Sequence, residues 1–68
     1  MSKYDALWAR VQGDGRPEFS LRFSEIESIL GFPIDHSFLN AKKELFQYGY
    51  QVGKIFLKEQ SVRFHRTD

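Results

Sequence analysis

Apolar positions along this chain fall into short runs whose spacing switches from helical to extended and back. Tyr4, Leu7, Trp8 and Val11 stand at i, i+3, i+4 and i+7, the single stripe of a helix over about residues 3–12. Ser2 is placed to cap it, Asp5 stands three residues later in a capping-box-like position, and Gly13 offers a left-handed stop. The stretch "GDGRPE", residues 13–18, is a loop by its turn chemistry. Phe19, Leu21 and Phe23 then alternate with Ser20 and Arg22, which predicts a strand with its apolar side chains on one face.

A second helix follows. "SEIE" is a Ser-x-x-Glu capping box in which Ser24 accepts from the amide of Glu27 and Glu27 reaches back to that of Ser24. Ile26, Ile29 and Leu30 form its buried face, and Gly31 ends it. Pro33 disfavours helical backbone at Phe32, so the chain turns through "FPID" and restarts under Asp35 or Ser37. The third helix, about His36 to Tyr48, sets Phe38, Ala41, Leu45 and Tyr48 on one stripe, flanked by Leu39 and Phe46, with Gly49 as its stop. Its opposite stripe is polar: His36, Asn40, Lys43 and Gln47, with Ser37 and Glu44 alongside. Residues 50–57 and 61–65 read as a hairpin joined through Lys58, Glu59 and Gln60, and Gly53 marks a candidate bulge.

The chain's 68 residues allow one domain, and a core this small depends on its seven Phe, three Tyr and one Trp. The absence of Cys excludes a disulfide framework and thiolate zinc sites. With no apolar run suited to a signal peptide or a membrane span, a soluble, cytoplasmic protein is expected. Net charge is only +1, but it is uneven: residues 1–39 carry four Lys or Arg against six Asp or Glu, and residues 40–68 carry six against three. The swing from −2 to +3 puts any contact with an anionic partner in the second half.

Helix, strand, helix, helix, strand, strand is the order of the winged helix-turn-helix, and two stretches resemble its motifs. "SLRFSEIESILG" looks like the T-x-x-E-I-A-x-x-L-G run, and Ala41, Leu45 and Gly49 fall as in A-x-x-x-L-x-x-x-G before a wing. More closely, the chain is similar to a family of small uncharacterised bacterial domains with an F-x-E-I-E-x-I-L-G motif, here Phe23 to Gly31. That family's terminal G-W/Y-x-V and V-x-F-x-R motifs are matched by Gly49, Tyr50, Val52, Val62 and Phe64, with His65 and Arg66 close behind. It departs in the middle, where the family's longer segment with paired Trp and an Asn is reduced to "FPIDHSFLN", so contacts of that segment do not transfer. The resemblance covers about residues 19–65; it implies an α+β, winged-helix-like fold with a small three-stranded antiparallel sheet, and residues 1–68 are expected to form that single domain.

On that frame the third helix would face the major groove. Asn40 and Gln47 have the amide geometry to read adenine, Lys43 suits guanine or phosphate, and Ser37 would donate to a phosphate at the helix start. Lys54, Lys58, Arg63 and Arg66 would follow the backbone of double-stranded DNA from the wing. A polar helix face is also what any solvated helix shows. The competing expectation is a module that binds a protein or itself, with Trp8, Phe32, Phe46 and Tyr50 as candidates for an exposed apolar patch.

Support for catalysis is thin. His36 and His65 lie far apart with no ligand spacing, so no metal site is expected. Asp35 and His36 suit a cap and its dipole partner better than an acid/base pair, and Gly13 and Gly15 flank a polar turn with no preceding strand. The expectation is a binding protein, not an enzyme, without a small-molecule cofactor and without a membrane partner.

Overall fold

The computed structural model describes residues 2–67. The first helix, α1, spans Asp5–Asp14, and the predicted stripe is its core face, with Leu7, Trp8 and Val11 wholly buried and Tyr4 just ahead of them. The helix starts two residues later than expected, with Tyr4 rather than Ser2 at its cap and no side-chain cap bond; in the turn ahead of it the Asp5 carboxylate accepts from the Ser2 amide and the Ser2 hydroxyl accepts from that of Tyr4. The stop is not Gly13. The helix runs two residues past Gln12, and Gly15 takes the left-handed conformation at φ 78°. Asp14 anchors that ending: Arg16 forks onto both its carboxylate oxygens at 2.6 and 2.9 Å, and Arg10 approaches from one turn back at 3.6 Å.

Strand β1, Glu18–Arg22, sends Phe19 and Leu21 into the core. Helix α2, Phe23–Leu30, begins two residues earlier than its Ser24 box predicts. Its start is set from outside, because the Phe23 amide donates to the Gln60 carbonyl in the hairpin turn at 2.7 Å. With Arg22 thereby at the cap, Glu25 rather than Glu27 reaches back, accepting from the Arg22 amide at 2.9 Å. Phe23 accordingly sits half-buried at the helix start and not on the strand. Gly31 stops α2 in the left-handed conformation, as expected.

Asp35 caps α3, His36–Ala41, by accepting from the Ser37 amide at 2.9 Å. The predicted third helix then tightens. Lys42–Tyr48 is a 3-10 segment, closed by Gly49 in the left-handed conformation. In a 3-10 turn residues three apart eclipse, so Leu45 and Tyr48 both stay on the core side.

Strands β2, Tyr50–Phe56, and β3, Ser61–Arg66, form the expected hairpin, and β1 adds to β3, giving an open antiparallel sheet in the order β1-β3-β2. Phe19 faces Phe64, and Leu21 faces Val62. The helices cover this inner face, where rings close the small core: Tyr4 meets Trp8 and Phe38, and Phe19 meets Tyr50 and Phe64, all with centroids within 5.9 Å. Gly53 is a bulge, since the register steps from Val52 opposite Phe64 to Lys54 opposite Arg63. The extra residue resets the alternation, sending Ile55 inward and Lys54 and Phe56 outward.

No described helix is long and apolar enough to cross a membrane.

Candidate nucleic-acid interface

The proposed reading helix begins at a closed network. The Ser37 hydroxyl donates to Asp35 Oδ1 at 2.5 Å and lies 2.6 Å from the hydroxyl of buried Tyr4. The Ser37 side chain and amide together hold the Asp35 carboxyl below the usual carboxylate range. The Ser37 hydroxyl and amide are thus already engaged within the fold, beside the Asp35 carboxylate.

Asn40 and Lys43 project into solvent. Gln47 is also exposed but does not continue their line, because residues four apart point about 120° away from each other in a 3-10 helix, against about 40° in an α-helix. It stands instead with Ser2, Asp5, Glu44 and Tyr48, beside the start of α1. The residue eclipsing Lys43 is Phe46, which is 56% exposed. The open side of the third helix is thus mixed: Asn40 and Lys43 stand among Leu39 and Phe46, where the helical periodicity predicts a wholly polar stripe.

The cations of the hairpin divide by strand parity. Lys54 and Arg63 are register partners on the outer face of the sheet, turned away from the helices. Arg63 stands 3.8 Å from Glu18 across β1, with both side chains about half exposed. Arg66, three residues on, has the parity of the inner face at the end of β3, where it pairs with Tyr50. Lys58 lies in the exposed turn, residues 57–60, whose Gln60 adopts φ 55°.

Three features escape the pattern of the sequence. Trp8, a candidate for the exposed patch, is wholly buried, and its indole N–H donates to Glu44 Oε1 at 3.0 Å. That hydrogen bond is the first cause holding the Glu44 carboxyl below its ordinary value. Tyr50, another candidate, is buried too, its hydroxyl donating to the Arg16 carbonyl at 2.7 Å, and Phe32 is half-buried edge-on to Tyr4. Of the predicted patch only Phe46 is open to solvent; its exposed companions are Leu39 and Leu57. These two leucines border a groove of about 380 Å³ between α3 and the hairpin, lined by Phe23, Ile34, Phe38 and Ile55. Lastly, Phe56 lies half-buried on the outer sheet face, with Lys54 Nζ 5.2 Å and the Arg63 guanidinium carbon 5.6 Å from its ring centroid. Only the bulge places it there, and a bulge is not resolved by counting alternation.

Among the described residues no cluster of His, Cys, Asp or Glu could hold a metal ion. Together these elements define a small α+β domain with three helices and an open three-stranded antiparallel sheet. No family model, curated protein or solved structure matches the chain.

Proposed function

We propose that the chain is a winged-helix-like domain that binds duplex DNA through the open side of its third helix and the turn of its hairpin. The observation that carries this reading is the pairing of exposed Asn40 and Lys43 on that helix with a hairpin, immediately following, that presents Lys58 at its tip. The order of elements and the β1-β3-β2 sheet support it. Asn40 would read a base edge, Lys43 a guanine or a phosphate, and Lys58 the phosphate backbone. Ser37 leaves the set because its hydroxyl is held by Asp35 and Tyr4, and Gln47 because the 3-10 turn carries it aside. Lys54 and Arg63 add positive potential from the outer sheet face rather than contacts in the groove. On this reading the protein binds and does not catalyse, without metal or cofactor.

The test is titration with a mixed-sequence duplex at several salt concentrations. Binding should weaken steeply with salt, and Lys43→Ala should reduce both the affinity and the salt slope, the latter by about 1. Asn40→Ala should lower affinity without changing the slope. Wild-type binding by both variants removes the assignment.

A second reading is favoured by Leu57, 76% exposed beside an apolar groove: a module that docks a protein partner or a second copy of itself. For a second copy, sedimentation should show a mass that rises with concentration and stays monomeric in Leu57→Ser.

A further inference from the structure

The groove between α3 and the hairpin carries both halves of a contact on one surface. Its floor is apolar, from Phe23, Ile34, Phe38 and Ile55, and its volume of about 380 Å³ takes roughly two aliphatic side chains, since a cavity of about 150 Å³ holds one benzene-sized group. Leu39 stands exposed on the helix bank and Leu57 on the hairpin bank. In a chain this short every large apolar side chain is wanted in the core, so two leucines left in water beside an open apolar groove mark a surface that something covers. The polar residues of the lining, Asp35 and His36, are both on the helix bank. Lys3, which acts on Asp35, is drawn over the Tyr4 and Phe32 rings, and Glu27 follows Phe23 by one turn of α2, adding negative charge beside the floor. On the hairpin bank Lys58 comes directly after Leu57, while Glu59 lies on the other side of the turn with Ser20, Arg22, Glu25 and Ser61. The two banks thus differ in sign, with the Asp35 carboxylate on one and the Lys58 cation on the other.

On the reading of the groove as a docking surface, on which this step rests, we propose that its occupant is a second copy of this chain, seated about a two-fold axis that runs along the groove so that the hairpin bank of each copy lies on the helix bank of the other. Leu57 then meets the partner's Leu39, and Lys58 meets the partner's Asp35. Charge complementarity selects both the occupant and the axis. A two-fold axis across the groove would set Lys58 beside Lys58 and Asp35 beside Asp35, and like charges brought together repel. An isologous contact needs one patch that complements itself, and here the exposed leucines, the hollow, the anion and the cation all belong to one patch. An extended peptide is a poorer occupant, because the Gly53 bulge interrupts the register of β2, the edge strand, and so blunts strand addition there. Each copy has 4539 Å² of surface, of which a standard interface of about 800 Å² per partner would take about a sixth. The groove and its two leucines are a smaller patch than that, so the dimer is weak and forms between micromolar and millimolar protein.

The test is sedimentation from micromolar to millimolar protein, on wild type, Leu57→Ser, Lys58→Glu and Lys43→Ala, joined to disulfide trapping. Buried Trp8 reports by its emission that each variant is folded. The expected result is a monomer to dimer equilibrium whose dissociation constant rises at least about tenfold in Leu57→Ser, because each dimer loses two leucine contacts, and roughly threefold in Lys58→Glu, which sets like charge against Asp35; Lys43→Ala leaves it unchanged. The chain has no cysteine, so Leu57→Cys and Leu39→Cys each supply a single thiol. Under mild oxidation of the two variants together, the mixed disulfide should exceed both homodisulfides combined. A mass that stays monomeric up to millimolar protein overturns the inference and leaves the groove to another protein. A concentration-dependent mass that Leu57→Ser does not alter keeps self-association and overturns this surface. Trapping dominated by Leu57→Cys with itself overturns the crosswise seating.

Discussion

Replacing Gly53 by Ala probes the bulge on which the register of β2 depends. Gly53 does not have a positive φ, so alanine meets no backbone strain there. The obstacle is a neighbour across the hairpin: a Cβ at this position would lie 2.7 Å from His65 Cδ2 and 3.0 Å from His65 Nε2, while the Arg63 carbonyl, at 3.6 Å, is an ordinary contact. Carbon atoms pack comfortably at about 3.5–4.0 Å, so the imidazole must withdraw by nearly an ångström. Overpacking in a closed core costs about 1–3 kcal/mol, and a half-buried ring at a sheet surface has room to rotate, which puts the clash near 1 kcal/mol. Against it, Gly→Ala stabilises by about 0.4–1 kcal/mol through the unfolded chain. The single substitution should therefore come out close to neutral or destabilising by up to about 0.6 kcal/mol. In a His65→Ala background the clash disappears and the same change should stabilise by about 0.4–1 kcal/mol. The readout is the coupling, about 1 kcal/mol, measured by urea unfolding of the four proteins in the cycle with Trp8 fluorescence as the probe. Equal effects of Gly53→Ala in both backgrounds, within about 0.3 kcal/mol, would show that the ring does not lie over the bulge.

Gly13 lies inside α1 with open space where a Cβ would be, so Gly13→Ala should raise the unfolding free energy by about 0.5–1 kcal/mol, whereas Gly15→Ala, at φ 78°, should lower it; the reverse order in urea unfolding would return the helix stop to Gly13. Arg16 holds the Asp14 carboxyl at about 2, down from an ordinary 3.8, so its contribution is complete above the ordinary value and fades as pH falls toward the folded one. Between about pH 4 and about pH 2 wild type should lose more stability than Asp14→Asn, and parallel acid curves would contradict the pairing. Glu44, held low first by the Trp8 indole, should behave with the same sign: Glu44→Gln keeps an acceptor and flattens the acid limb, whereas Glu44→Leu strands a buried donor and lowers the thermal midpoint at neutral pH.

What could be read from the chain is what is decided locally. Asp35 caps because its side chain reaches an amide two residues on, and Gly31 and Gly49 stop their helices because the left-handed conformation suits glycine wherever the chain lies. The inward set of α1 and β1 follows from periodicity. Errors gather where a distant partner decides. The start of α2 shifts because a carbonyl in the hairpin turn takes the Phe23 amide, which hands the reach-back from Glu27 to Glu25. The choice between Gly13 and Gly15 turns on two arginines converging on Asp14. Trp8 and Tyr50 resemble interface residues by type, yet each has a buried ring and a polar atom that finds its acceptor on another element. The tightening after Ala41 has no local marker, and it moves Gln47 out of the candidate site.

That tightening also sharpens the choice between the two readings of the third helix. An α-helix to Tyr48 would keep Asn40, Lys43 and Gln47 on one polar line, and a wholly polar line cannot tell a DNA-reading face from a solvated one. The 3-10 segment instead eclipses Lys43 with Phe46 and leaves Leu39 open at the border of the groove. On one surface, cationic and apolar side chains now predict opposite outcomes. If the surface meets DNA, Lys43→Ala weakens the complex and Phe46→Ser leaves it unchanged, because phosphate contacts carry most of the affinity and a ring at the helix margin adds little. If it meets protein, Phe46→Ser and Leu39→Ser are the costly changes and Lys43→Ala is nearly silent, since affinity concentrates in buried apolar anchors while rim charges contribute little. Lys43, Phe46 and Leu39 are all exposed, so none of these exchanges disturbs the core, and the opposite responses of cation and apolar side chain tell a DNA partner from a protein one.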